Sequence, residues 1–145
     1  MTIIRRDDYV EQLLKKQWNG KVKIITGLRR CGKSFLLSTL FKKRKIEDGA
    51  KDEDFIEIAL DRSADVKYRN PNVLYDYVIN RTMDLSRRFY VIIDEIQLSY
   101  KVKNRDVDES VISEEDHELL YTTFYDVLND LMARPNIDVY VTGSN

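Results

Sequence analysis

The stretch from Val22 to Ser34, VKIITGLRRCGKS, decides the fold of this chain. Its first residues are rich in β-branched side chains and predict a short buried strand. A glycine then breaks the run, and the loop that follows fits the pattern G-x-x-x-x-G-K-[ST], in which backbone N–H groups surround phosphate oxygens. Apolar residues at helical spacing come next. The sequence therefore predicts a phosphate-binding loop between a strand and a helix.

The fixed positions of this loop each have a physical reason. Gly27 and Gly32 can adopt backbone angles that a Cβ atom forbids, which lets the main chain close around an anion. The helix that begins near Lys33 directs its positive dipole end at the same anion. Lys33 is placed to reach the β- and γ-phosphates of a nucleotide, and the Ser34 hydroxyl is placed to bind Mg²⁺. We therefore expect the nucleotide to contact Gly27, Leu28, Arg29, Arg30, Cys31, Gly32, Lys33 and Ser34.

The composition is that of one globular domain. The chain has 145 residues, 43% of them hydrophobic, which is enough to bury a core. Lys plus Arg number 24 against 25 for Asp plus Glu, so the net charge gives no support to a nucleic-acid surface. The sequence shows no signal peptide and no membrane-spanning run, and its single cysteine excludes an internal disulfide framework. We expect a cytoplasmic protein with no membrane partner.

Predicted strands and helices alternate along the rest of the chain. A helix over Ile4–Gln17 precedes the first strand, and a helix from about Lys33 to Lys45 follows the loop. Further strands are predicted over Phe55–Leu60, Phe89–Ile93 and Ile137–Val141, with a helix beginning at Pro71 between the first two. This alternation predicts a parallel sheet with right-handed crossovers in an α/β domain.

Three segments carry more specific expectations. Phe89–Ile93 is apolar without alternation, which is typical of a central parallel strand buried on both faces, whereas the last strand alternates more. Charged residues 98–113 are predicted to form a mobile surface insertion. A long helix is then predicted, with Ser113 and Asp116 as a weak capping box. One face of that helix would carry Leu120, Phe124, Val127, Leu128 and Leu131.

Polar residues follow two of the predicted strands. Asp94 and Glu95 end the Phe89–Ile93 strand, at the edge where open parallel sheets bind ligands. Asp94 is placed to hold Mg²⁺ beside the β- and γ-phosphates, and Glu95 is placed to act as general base on a water in line with the γ-phosphate. Thr142 to Asn145 follow the last strand, where polar groups can touch the γ-phosphate or the water. A turn cap explains the same residues.

With these segments in order, the chain resembles the AAA-type P-loop ATPases, and most of all a prokaryotic branch with a GxRRxGKS loop. The likeness is carried by ITGLRRCGKS at Ile25–Ser34, YVIIDEIQ at Tyr90–Gln97 and VTGSN at Val141–Asn145. It implies a three-layer core whose five parallel strands follow the order 5-1-4-3-2. Four of them, in the order 1-4-3-2, are expected here, with the chain truncated before the fifth strand and the lid.

The resemblance also assigns roles. Lys33 and Ser34 match the phosphate and Mg²⁺ positions, Asp94 the second Mg²⁺ position and Glu95 the water-activating one. Ser144 or Asn145 matches the first sensor. ATP and Mg²⁺ are the implied cofactors. Residues 1–145 then represent the N-terminal part of an AAA-type ATP-binding domain, nearly inactive alone, and self-association or a protein partner is expected through the C-terminal continuation.

Two other functions fit parts of the pattern. A P-loop kinase would keep the loop but seldom places Glu directly after the strand-end Asp. A nucleotide-dependent switch without useful hydrolysis remains an open alternative. His117 is interpreted as a residue of an amphipathic helix without partner ligands, and Cys31 as a small residue that fits the loop.

Overall fold

A four-stranded parallel sheet forms the centre of the molecule. The structure is a computed structural model, and it describes residues 6–26 and 36–143. The strands of the sheet are β1 (Lys23–Thr26), β2 (Phe55–Ala59), β3 (Phe89–Asp94) and β6 (Ile137–Gly143). They lie in the order β1-β6-β3-β2, and every adjacent pair is parallel. Because β6 is the fourth strand that the sequence predicted, the α/β class and the order 1-4-3-2 are confirmed.

Helices cover both faces of this sheet, which gives the three layers of the predicted core. On one face lie α1 (Arg6–Lys16) and a π-helical segment, Leu36–Phe41, that continues as α2 (Lys42–Glu47). On the other face lie α3 (Pro71–Arg81) and α4 (Phe124–Met132). The predicted start of the helix after the loop lies outside the described residues. Within residues 6–26 and 36–143, no helix has the length and apolarity needed to cross a bilayer.

The two faces of the sheet bury different side chains because neighbouring residues of a strand point in opposite directions. In β3, Tyr90 and Ile92 pack towards α1, whereas Val91 and Ile93 pack towards α3 and α4. The prediction that β3 is buried on both faces is therefore confirmed. All seven residues of β6 are also buried, including the polar Asp138, although its sequence alternates. Buried polar side chains need hydrogen-bond partners, and the partners of Asp138 and Thr142 in β6 are described below.

The long helix predicted after Ser113 is wrong. The chain instead forms a 3₁₀-helix, Glu114–Leu120, then β5 (Tyr121–Thr122), and only then α4. Tyr, Thr and Thr in succession at residues 121–123 favour extended backbone, since β-branched and aromatic side chains suit strands. The five apolar residues predicted to share one helix face are all buried, but they are divided between two elements.

The capping box also lies elsewhere than predicted. Ser113 makes no cap to the backbone, and its hydroxyl bonds to the Asp116 carboxylate at 3.2 Å. The cap of α4 is Thr123, whose hydroxyl accepts from the N–H of Asp126 at 3.3 Å. The Asp126 carboxylate accepts in return from the Thr123 N–H at 2.9 Å. This reciprocal pair fixes where α4 starts.

Residues between β3 and α4 form a small ribbon against the α3 side of the sheet. Its strands are β4 (Val102–Lys103) and β5, paired antiparallel. Arg105 donates two hydrogen bonds, of 2.9 and 2.6 Å, to the carboxylate of Asp76 on α3. These bonds lower the pKa of that exposed carboxyl. A cavity of about 640 Å³ lies between the ribbon, α3 and α4. The mobility of residues 98–113 stays a prediction.

Candidate active site

The carboxyl edge of the sheet brings two of the predicted segments together. In the pairing of β1 with β6, Thr26 at the end of β1 lies opposite Gly143. β3 pairs with the other side of β6, and there Ile93 lies opposite Val141. Since β6 lies between β1 and β3 and all three strands are parallel, Thr26 and Asp94 end their strands at the same edge of the sheet. The nucleotide-contacting residues predicted at 27–34 and the sensors predicted at 144 and 145 lie outside the described residues.

The Asp94 side chain is held by the neighbouring strand. The hydroxyl of Thr142 donates a hydrogen bond to Asp94 Oδ1, and the same hydroxyl accepts from the backbone N–H of Glu95 at 3.2 Å. Thr142 is fully buried, with 0% of its surface exposed, whereas Asp94 and Glu95 are half-buried. One hydroxyl therefore connects both acidic residues to β6.

Glu95 has a left-handed backbone, with φ 59° and ψ 51°. A residue with a Cβ atom adopts this conformation at a cost of about 1–2 kcal/mol. The turn takes the chain out of β3 and into a 3₁₀-helix, Ile96–Leu98. The side-chain amide of Gln97 then donates to Glu95 Oε2. Backbone of this kind is more frequent at functional sites than elsewhere, and in the described residues it also occurs at Trp18, with φ 57°. The role of Glu95 stays a prediction.

Gly143 lets this turn approach β6 closely. A Cβ atom placed on Gly143 would lie 3.0 Å from Cγ2 of Ile96 and 3.4 Å from Oε1 of Gln97. The first distance is shorter than ordinary van der Waals contact, so a larger residue would push the turn away from the sheet. The glycine is explained by this contact and not by an unusual backbone angle.

Sequence reasoning gave Thr142 no role of its own. The signal that could have found it is positional, because Val141 faces Ile93 and the next residues along the two strands are Thr142 and Asp94. A hydroxyl and a carboxylate then stand side by side at the sheet edge. Finding that pair requires the strand register, which the sequence does not state.

A second polar cluster lies at the amino end of the same strands. Lys23 of β1 donates to Asp138 Oδ1, and Asp138 Oδ2 accepts from the Trp18 N–H at 2.8 Å and from the Tyr140 hydroxyl at 2.6 Å. Burial raises the pKa of the Tyr140 phenol, and the bond to Asp138 adds to the effect. Every oxygen of the buried carboxylate thus has a donor. This arrangement stabilises the sheet and lies away from Asp94.

The described residues contain no group of three or more His, Cys, Asp and Glu side chains that could hold a metal ion. His117 is exposed, and its ring lies 6.1 Å from that of Tyr121. It belongs to the 3₁₀-helix that replaces the predicted amphipathic helix. Cys31 lies outside the described residues.

The fold and this edge together define the class of the protein. A parallel sheet of order β1-β6-β3-β2 has an acidic pair at the end of β3, and only β6 lies between β3 and the strand that precedes G-x-x-x-x-G-K-S in the sequence. These are features of the P-loop nucleotide-binding proteins. A family model described as an AAA domain matches residues 19–145, so the chain belongs to this family of AAA-type P-loop ATPases. No curated protein and no solved structure matched the chain.

Proposed function

We propose that this chain binds ATP with Mg²⁺ and hydrolyses it, as the nucleotide-binding core of a larger AAA-type ATPase. The observation that carries the proposal is the shared edge of the sheet. Only β6 lies between β1, which leads into the proposed phosphate loop, and β3, which ends at Asp94 and is followed by Glu95, so the two strand ends are two strand spacings apart. A nucleotide held by the loop would therefore present its phosphates towards both carboxylates.

Two residues would hold the metal ion. Mg²⁺ uses one or two protein side chains and completes its shell with phosphate oxygens and water, so Asp94 and the Ser34 hydroxyl suit it. The Asp94 carboxylate is half-buried and is oriented by a neighbouring hydroxyl, which is the usual support of a ligating carboxylate. Mg²⁺ held by these residues would neutralise negative charge that develops on the phosphates. Lys33 would add a second positive charge at the same oxygens.

Glu95 would orient the attacking water and accept its proton. The residue stands directly after the proposed metal ligand, and its carboxylate is held at one oxygen by the Gln97 amide. A fixed carboxylate is a better general base than a freely rotating one, because the reaction needs a defined direction towards the water. Ser144 or Asn145 would contact the γ-phosphate or the water, since both follow β6 directly.

The alternative function is a nucleotide-dependent switch without useful hydrolysis. It would use the same phosphate loop and the same Mg²⁺ ligands, and it differs from the proposed function only in that Glu95 would not activate a water. For either function we propose a cytoplasmic location, ATP and ADP as ligands, and contacts with a partner or a second copy. The near balance of charges gives no support to nucleic acid as a partner.

Hydrolysis and switching can be separated with Glu95→Gln. We expect the variant to bind Mg²⁺–ATP within about threefold of the parent and to release phosphate at least about a hundredfold more slowly in single-turnover assays. Glu115→Gln, an exposed glutamate of the ribbon, is the matched control and should behave as the parent. Equal phosphate release from parent and Glu95→Gln would overturn the role of Glu95. Binding without phosphate release by the larger ATPase proposed here would favour the switch, and a parent that binds no nucleotide would refute both.

A further inference from the structure

We propose that Thr142 is a positioning residue of the candidate nucleotide site, which directs both the Asp94 carboxylate and the backbone of Glu95 through one hydroxyl group. The inference rests on the proposed function, because it concerns the residues that would bind Mg²⁺ and activate water. Thr142 itself touches neither ligand in this role and acts through its two neighbours.

The hydroxyl is used in both directions. It donates its hydrogen to Asp94 Oδ1 and accepts from the Glu95 N–H at 3.2 Å. Its two partners, Asp94 and Glu95, are consecutive residues at the end of β3 and lie 48 and 47 residues before Thr142 in the sequence. Thr142 is fully buried in β6, and its branched Cβ restricts rotation of the side chain. The hydroxyl is therefore held in one position, from which it bonds to both acidic residues.

For Asp94, the hydrogen bond fixes the rotation of the carboxylate. A ligating carboxylate binds a metal ion well when a neighbouring group already orients it, and losing such a partner typically costs about 10–100-fold in metal affinity. Asp94 is the last residue of β3, and Thr142 lies on the strand next to it. Thr142 supplies that support from the adjacent strand.

For Glu95, the hydrogen bond holds a backbone that an L-residue rarely adopts. The Glu95 N–H points towards β6, where the Thr142 oxygen accepts it, and the φ of 59° then turns the chain away from β3. In another backbone conformation, the Glu95 N–H would lose its hydrogen bond to Thr142, and the Glu95 side chain would point in a different direction. Thr142 thereby ties the proposed base to the strand that leads to the proposed sensors.

The experiment compares three variants in the full chain. Thr142→Val keeps the shape and loses the hydroxyl, whereas Thr142→Ser keeps the hydroxyl. The matched control is Thr82→Val, since Thr82 is equally buried and its hydroxyl donates to the Val78 carbonyl at 2.8 Å, away from the site. Calorimetric titration of ATP over a range of Mg²⁺ concentrations measures the Mg²⁺ dependence of binding. Amide hydrogen exchange of Glu95 in the ligand-free protein measures the backbone contact directly.

We expect Thr142→Val to need about 10–100-fold more Mg²⁺ for half-maximal ATP binding, with Glu95 exchanging at least about tenfold faster. Thr142→Ser and Thr82→Val should stay within about threefold of the parent in both measurements. Parent-like Mg²⁺ dependence and exchange in Thr142→Val would overturn the proposal, as would a Thr142→Ser variant that is equally impaired. If Thr142→Val does not fold, Thr142→Ala is compared with Thr142→Ser by the same criteria. The exchange measurement needs no nucleotide, so failure of the proposed function leaves it decisive.

Discussion

Lys23 and Asp138 form an ion pair that is buried inside the sheet. The side chains are 4% and 0% exposed, and they join β1 to β6 near the amino ends of the strands. Asp138 also accepts from Trp18 and Tyr140, so its charge is balanced by one cation and two further donors. β6 thus contacts Asp94 through Thr142 near its carboxyl end and is joined to β1 by this polar cluster near its amino end.

Removing the cation from this pair should destabilise the protein. Lys23→Met leaves the Asp138 carboxylate buried without its charge partner, which is expected to lower the free energy of unfolding by about 3–5 kcal/mol. Urea denaturation measures the loss, with the exposed Lys43→Met as control. Adding Asp138→Asn to Lys23→Met should recover part of the loss, because the charge is then gone. A loss below about 1 kcal/mol in Lys23→Met would contradict this account.

The Tyr140 phenol should make stability fall at high pH. Its pKa is raised in the folded protein, above the ordinary value of about 10 in the unfolded chain. The contribution to stability is therefore complete below pH ~10 and is lost as the pH rises above it, by up to about 1.4 kcal/mol per pH unit. Urea denaturation from pH 9 to 11.5 should show a steeper decline in the parent than in Tyr140→Phe. Equal slopes would show that Tyr140 ionises normally in the fold.

Gly143→Ala tests the close approach of the Ile96–Leu98 turn to β6. The added methyl would lie 3.0 Å from Ile96 Cγ2. Overpacking costs about 1–3 kcal/mol and outweighs the gain of about 0.4–1 kcal/mol from a less flexible unfolded chain. Thermal and urea unfolding should therefore show a net loss of stability. In a double-mutant cycle, Ile96→Ala should cost less in the Gly143→Ala background than in the parent. Strictly additive effects would argue against the contact.

Lys33→Ala tests the phosphate loop itself. The substitution removes the main positive charge at the β- and γ-phosphates, so affinity for Mg²⁺–ATP should fall at least about tenfold, or ~1.4 kcal/mol. Calorimetry provides the measurement, and Lys43→Ala, an exposed lysine of α2, provides the control. Unchanged affinity in Lys33→Ala would remove the basis for a nucleotide site at Gly27–Ser34.

Asp94→Asn tests the metal ligand. The amide keeps the shape of the carboxylate but loses its charge, so ATP binding should depend less on Mg²⁺, whereas binding without Mg²⁺ should change little. The comparison is made with Asp130→Asn, an exposed residue of α4. A Mg²⁺ titration of Asp94→Asn that overlays the parent curve would refute the assignment.

The sequence by itself determined the fold class and the expected chemistry. Strand β3 could be recognised because five consecutive apolar residues at 89–93 indicate burial on both faces, and an acidic pair follows them directly. A phosphate loop could be predicted because the motif G-x-x-x-x-G-K-S is written in consecutive residues. Both signals are local. The order of the strands came from the resemblance to a known family, and the structure agrees with it.

Only the tertiary structure decided how distant polar residues meet. Thr142 and Asp94 are separated by 48 residues, and Lys23 and Asp138 by 115, so no local pattern links them. Strand order and register bring each pair together: Asp94 and Thr142 follow the paired residues Ile93 and Val141, and Lys23 lies opposite Tyr140, two residues from Asp138. The same holds for residues 121–123, where pairing with β4 and the Thr123 cap replaced a predicted helix. The spacing of the apolar residues is compatible with a helix and with a strand at residues 121–123. Which of the two forms depends on the hydrogen-bond partners that the backbone N–H and C=O groups find in the folded chain.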